Sequence, residues 1–182
     1  MKTREIIKAV LFIAGIIMLT EACKKDDGPT LDFDITVPSD WKYYILSDGN
    51  VVYYAQSPQK TYSDTVTEDL VITKDEAKGM TLSSYYSAYV TSLAAQDTTY
   101  HPISSIDTTI NGEEAIKLTH LQTIYAVNTM NGDTVHLNAK LQKYFMMNNN
   151  NGYVASFNAL VSTFNEYKKI FDEIIATFIF KK

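Results

Sequence analysis

Residues 135–157 read VHLNAKLQKYFMMNNNNGYVASF, and the fold is decided in this stretch. Val135, Leu137, Ala139, Leu141 and Phe145 alternate with His136, Asn138, Lys140, Gln142 and Tyr144. A period of two residues is the mark of a strand with one face toward a core. The run Asn148 to Asn151 followed by Gly152 is a turn, because Asn and Gly tolerate positive φ. Beyond it Tyr153, Ala155 and Phe157 again share one face, so the stretch reads as an antiparallel hairpin.

Working outward, the same pattern repeats. Asn131-Gly132-Asp133 is a second turn signal, preceded by a long strand from Ala115 to Val127. In that strand Ile116 and Leu118 fall on even positions, whereas Leu121, Tyr125 and Val127 fall on odd ones; a bulge near Thr119 or His120 reconciles the registers. Asn111-Gly112 joins it to a strand from Ile103 to Ile110, and Asp69 to Thr73 supplies another. Tyr43 to Leu46 and Val51 to Ala55 flank the turn Ser47-Asp48-Gly49-Asn50. Phe33, Ile35 and Val37 alternate with Asp32, Asp34 and Thr36 in a first strand that stops at Pro38.

Two segments have helical spacing instead. Thr81 caps a helix in which Leu82, Tyr85, Tyr86, Tyr89, Val90 and Leu93 recur at three and four residues. Thr163 and Glu166 fit a capping box opening a helix whose stripe is Phe164, Tyr167, Phe171, Ile174, Ile175 and Phe178. Consecutive hairpins with one early and one late helix describe an α+β domain, an antiparallel β-sheet packed by helices.

Four stretches carry a family resemblance: Ile-Thr-Val-Pro-Ser-Asp-Trp from Ile35, Met-Thr-Leu-Ser-Ser-Tyr-Tyr from Met80, Ile-Asn-Gly-Glu-Glu-Ala from Ile110, and Tyr-Lys-Lys-Ile-Phe-Asp-Glu-Ile-Ile-Ala-Thr-Phe from Tyr167. In order and spacing the chain resembles the PsbP-like family over most of residues 32–180. The resemblance implies an α/β/α sandwich whose members bind or assist other proteins. The matching residues are scaffold, so no family site residue is carried over.

The N-terminal end gives an address. Lys2, Arg4 and Lys8 precede the apolar run Ala9 to Leu19, closed by Thr20. This is the charged and hydrophobic pattern of an export signal. As a helix, residues 9–20 span only roughly 18 Å at ~1.5 Å per residue, short of the ~30 Å hydrocarbon core of a bilayer. Small Ala22 stands directly before Cys23, the only cysteine in the chain. This resembles the lipobox of bacterial lipoproteins, with Leu19 one place earlier than the family's leucine. The resemblance implies cleavage before Cys23, diacylglycerol on its thiol and an acylated amino group. Lys24-Lys25-Asp26-Asp27 resembles the surface-export signal of Bacteroidota-type lipoproteins. The expected organisation is a signal peptide over 1–22, a lipidated Cys and charged tether over 23–31, and a PsbP-like domain over 32–182. The expected location is the outer membrane, where the lipid anchor holds the domain, and the charged run allows a cell-surface orientation.

The net charge is −5, and residues 1–22 carry three bases and two acids, so the remainder stands near −6. An acidic body argues against nucleic acid, which needs a basic face to release counterions. With thirteen tyrosines and eight phenylalanines against seven glycines and four prolines, the composition is that of a packed domain.

No catalytic centre is expected. Gly-x-Ser-x-Gly is absent, and the single thiol is reserved for lipid. His101, His120 and His136 lack zinc-ligand spacing, with His120 expected to be a hydrogen-bonded structural residue beside the core. Asp26, Asp27, Asp32 and Asp34 straddle a tether and a strand and are expected to be solvated rather than to ligate calcium. No metal and no cofactor other than the covalent lipid on Cys23 is expected. Tyr85, Tyr86 and Tyr89 on one helix, with Tyr43, Tyr44, Tyr53 and Tyr54 in the first hairpin, offer a candidate aromatic platform. Two functions therefore compete: a non-enzymatic lipoprotein that binds or supports another envelope protein, and a surface module that binds a soluble ligand such as a glycan through exposed tyrosines.

Overall fold

The structure is a computed structural model that describes residues 30–47, 49–58, 67–127 and 134–182. Its elements, in chain order, are β1 (Phe33–Asp34), β2 (Lys42–Ile45), β3 (Val51–Gln56), β4 (Asp69–Glu76), α1 (Leu82–Gln96), β5 (His101–Ile110), β6 (Glu113–Val127), β7 (Thr134–Asn148), β8 (Asn151–Leu160), α2 (Phe164–Ile175) and β9 (Ile179–Phe180). Seven strands form one antiparallel sheet in the order β2-β3-β4-β8-β7-β6-β5. The eighth and ninth, β1 and β9, pair with each other alone.

The hairpin quoted first lies at the middle of this sheet. Asn149 and Asn150 take φ of 49° and 63°, the two left-handed residues that a two-residue hairpin turn requires. They set Asn148 opposite Asn151 and, further in, Phe145 opposite Val154 and Tyr144 opposite Ala155. From Leu141 to Met146 and from Gly152 to Phe157 every residue is buried, because helices cover both sides of the sheet there.

One face belongs to α2. Phe171 stacks on Phe157 at 4.6 Å between ring centroids, and Phe164 and Tyr144 pack around that pair at 6.0 and 5.9 Å. Phe33 stacks on Phe178 at 4.8 Å and meets Tyr153 edge-on, which seats β1 and β9 on the same face. Each buried phenylalanine contributes on the order of 1.5–3 kcal/mol through area alone. Polar bonds orient the helix: Gln142 donates to Asp172 at 3.0 Å, and Lys117 reaches the same carboxylate at 3.8 Å. Asn111, in the β5–β6 turn, donates to the carbonyls of Ala176 and Phe178 and so closes the C-terminal end of α2.

The opposite face belongs to α1, where Tyr85, Tyr86 and Tyr89 close on Phe145 edge-on at 6.3, 5.1 and 5.0 Å. Thr81 caps α1 with a reciprocal bond to Ser84, as its spacing predicts. Gly152 lies directly under the Tyr85 ring, and the Tyr85 hydroxyl donates to Asp75 at 2.7 Å.

Four expectations change. The strand over Phe33 to Val37 shrinks to two residues, since only Phe33 and Asp34 find a partner, in β9. The bulge is not in β6: its register with β7 runs unbroken from Ala115 to Val127, and the slip falls in the neighbouring β5 between Pro102 and Ser104. Pro102 has no amide hydrogen to give the ladder, which explains why the irregularity sits there. The strand over Asp69 to Thr73 extends to Glu76. Thr163 does precede α2, but its hydroxyl donates to Glu68 at 2.6 Å instead of capping the helix. The turn expected at Asn131-Gly132-Asp133 lies outside the described residues.

A Cβ at position 152 would stand 2.3–2.6 Å from ring carbons of Tyr85. Gly152→Ala therefore lifts α1 from the sheet and is expected to cost about 1–3 kcal/mol in urea unfolding, the usual range for overpacking. Combined with Tyr85→Ala the loss is smaller than the sum of the single effects, because the clash has gone.

Candidate functional site

The helical tyrosines do not form a surface platform. Tyr85 is 6 % exposed, and Tyr86 and Tyr89 are half-buried with their edges committed to Phe145. The physical reason is the position of α1 over Gly152 and Phe145, which turns that helix face inward. In the first hairpin Tyr53 is buried and Tyr54 half-buried, leaving Tyr43 and Tyr44 as the exposed pair at 59 % and 51 %. Tyr43 stacks on Tyr53 and Tyr44 on Tyr54, at 5.9 and 6.3 Å, on opposite faces of the sheet.

Beyond the C-terminal end of α1 the sheet carries a buried polar strip that periodicity alone did not reveal. Lys143 is buried in mid-sheet, its ammonium donating to Ser156 at 2.8 Å and standing 5.8 Å from the Tyr89 ring. Asn158 donates to Asp69 across the β4–β8 pair. Burial pushes the Asp69 carboxyl up to about 7, against the pull of the Asn158 hydrogen bond and the Lys143 charge. His120 is fully buried beside Tyr100, with ring centroids 5.0 Å apart, and neither imidazole nitrogen makes a hydrogen bond of ordinary geometry. This corrects the expectation of a hydrogen-bonded histidine. Burial drives the His120 pKa down to about 4, the Lys143 charge adds to the fall, and Gln122 and Asp97 oppose it.

Of the acidic residues near the start of the domain, Asp34 is solvated as expected, whereas Asp32 is half-buried and engaged. Asp32 accepts from Lys74 and from Tyr153, and Asp34 pairs with Lys181 at 3.1 Å. Burial raises the Asp32 pKa, but the bonds from Lys74 and Tyr153 outweigh it and hold the carboxyl below its ordinary value. No cluster of three or more His, Cys, Asp or Glu with metal-binding geometry occurs among the described residues.

Among the described residues the two edges of the sheet stand open to a partner. Strand β2 is exposed throughout, and Tyr43, Tyr44, Ile45 and Leu46 make a continuous apolar lip. Beside it a shallow groove of about 540 Å³ is lined by Leu31, Phe33, Ile35, Tyr43, Ile45 and Tyr53. Strand β5 forms the other edge, ten residues long, exposed from His101 to Asp107, with Ile103 and Ile106 about half exposed. Across six strand spacings of ~4.8 Å the two edges stand roughly 29 Å apart. The isoleucines of β5, Ile103, Ile106 and Ile110, do not alternate, and its place in the sheet is what identifies it as an edge.

Solved structures share this architecture. The chain superposes with the cyanobacterial PsbP protein of Synechocystis at a TM-score of 0.51 and 12 % identity, over 88 % of this chain and 98 % of that one. The fold is PsbP-like. LpqN of Mycobacterium tuberculosis, a protein involved in cell envelope biogenesis, has the same arrangement at a TM-score of 0.58 and 13 % identity, covering 82 % of this chain and 83 % of LpqN. PA94 of Pseudomonas aeruginosa, a protein of unknown function, does so at 0.59 and 12 %, covering 79 % and 99 %. The sequence matches no protein-family model and no curated protein. Cys23 and the run Lys24, Lys25, Asp26 and Asp27 lie outside the described residues. No described helix is long and apolar enough to cross a membrane.

His120 makes stability depend on pH with a definite sign. Between pH 6.5 and about 4 the unfolded chain binds a proton that the folded protein refuses. Its contribution is therefore present above 6.5 and falls, by at most about 3 kcal/mol, as pH drops to the folded value. Asp69 works in the opposite direction, its contribution being full below 3.8 and lost as pH rises through about 7. His120→Leu removes only the first effect. Urea unfolding is expected to find this variant gaining stability relative to wild type on going from about pH 7.5 to about pH 4.5, whereas a parallel change in both proteins would contradict the assignment.

Proposed function

We propose that the chain is a non-enzymatic envelope lipoprotein, anchored through Cys23, whose PsbP-like domain binds or supports another envelope protein. The observation that carries this reading is the free edge β5, a ten-residue strand exposed from His101 to Asp107 with Ile103 and Ile106 facing out. Such an edge receives a strand or apolar loop of a partner through main-chain hydrogen bonds and flanking side chains. Pro102, the irregular register beside it and Asp107 keep the same edge from pairing indiscriminately. The envelope role described for LpqN, which has this fold, supports the cellular setting.

In this reading the peptide is cut before Cys23, and acyl chains on the sulfur and the new amino group enter the outer membrane. Each buried methylene contributes about 0.8 kcal/mol, so two or three chains hold where one holds only marginally. Lys24, Lys25, Asp26 and Asp27 act as the export signal toward the cell surface. The competing reading, a glycan stacked on exposed tyrosines, has Tyr43 in its favour, since that ring overlooks the groove. It has less support, because Tyr44 points to the other face and the α1 tyrosines are packed inward.

Photo-cross-linking in intact cells tests the proposal. A cross-linking residue at position 106 is expected to capture a discrete envelope protein. Capture is expected to fall at least tenfold when Ile103 is replaced by Lys, and in the Cys23→Ser variant, which also loses its membrane fraction. Recovery of a bound sugar with no cross-linked protein would overturn the reading, as would a mature N-terminus whose mass shows a free thiol.

A further inference from the structure

Thr30, the first described residue, is itself part of the groove beside β2, together with Leu31, Phe33 and Tyr43. Resting on the proposed anchoring at Cys23, we propose that the lip Tyr43-Tyr44-Ile45-Leu46 docks against the lipid surface, so that the domain stands on its β2 edge. Only seven peptide steps separate Cys23 from Thr30, a reach of at most roughly 24 Å at ~3.4 Å per residue. Whatever surrounds Thr30 is therefore held at high effective concentration over the bilayer. Beside it stand Tyr43 and Ile45, which belong to the longest run of exposed apolar side chains among the described residues, four in succession along the β2 edge.

The chemistry of that lip suits an interface. Tyrosine places an apolar ring among acyl chains while its hydroxyl stays among headgroups, the reason aromatic residues gather at the water boundary of membranes. Ile45 and Leu46 supply apolar area without a polar group to desolvate. Among the described residues that line the groove the charged ones are Asp34 and Lys181, which offset one another at 3.1 Å. With a mature charge near −6 the domain is not drawn to anionic headgroups, so the lipid partner is a zwitterionic surface bound through apolar contact. Docked in this way, the protein holds β5 on the far side of the sheet, roughly 29 Å from the bilayer at ~4.8 Å per strand.

Depth-dependent fluorescence quenching tests this on the lipidated protein reconstituted in phosphatidylcholine–phosphatidylethanolamine vesicles. Trp41, the single tryptophan, is replaced by Phe, and a new reporter is introduced as Tyr43→Trp or, at the opposite edge, as Ile106→Trp. Vesicle flotation of each variant is measured in parallel. Brominated lipid is expected to quench the Tyr43→Trp reporter at least threefold more than the Ile106→Trp reporter. If both variants float and quenching is equal, docking is wrong while anchoring stands. If the protein does not float, anchoring fails and docking falls with it. Should Trp41→Phe unfold the domain, hydrogen exchange of the unaltered protein decides: residues 42–45 exchange more slowly on vesicles than in detergent if the lip is docked, and at the same rate if it is not.

Discussion

Everything in this fold depends on strand β8 being buried on both sides from Gly152 to Phe157. Tyr153, Ala155 and Phe157 point toward α2, while Gly152 and Val154 point toward α1, and none of these five residues reaches solvent. A strand with one wet face could be covered by one helix. A strand with none demands a helix on each side, and the chain supplies one before the central hairpin and one after it. The stacked pair Phe157 and Phe171 on one side and the Phe145 cluster on the other are two halves of the same constraint.

The elements themselves were largely legible in the sequence, because their signals are local. Asn-Gly and Asn-Asn turns, the two-residue period of β7 and the three-and-four spacing of α1 and α2 each reflect an interaction made within a few residues. Misreadings arose where distant partners decide. Phe33 to Val37 alternates well enough for five residues of strand, yet β9 offers only two residues to pair with. The parity change in β6 looked like an inserted residue; both of its faces are simply half-buried from Leu121 to Ile124, and the slip belongs to its neighbour. Thr163 resembles a cap and is claimed instead by Glu68, nearly a hundred positions away.

The candidate surfaces were less legible still, since exposure is a property of the assembled sheet. Seven tyrosines looked equivalent in composition, and burial sorted them: those over Gly152 and Phe145 became core, those on the outermost strand stayed outside. His120 and Lys143 show the same limit from within. Nothing in their neighbours along the chain says that β6 and β7 will place an imidazole and an ammonium in the interior of one face, where the ammonium adds to the burial that keeps the imidazole neutral.

The junction at Asp32 has a mechanical meaning. Its carboxylate is grasped by Lys74 and Tyr153, its carbonyl accepts from the amide of Lys181, and the two-residue β1 follows at once. Tension applied from the N-terminal side therefore reaches this clasp before it reaches any strand of the large sheet. The clasp and the short β1–β9 pair are thus the first bonds to carry such a load, and behind them Phe33 is held in the core of the seven-stranded body.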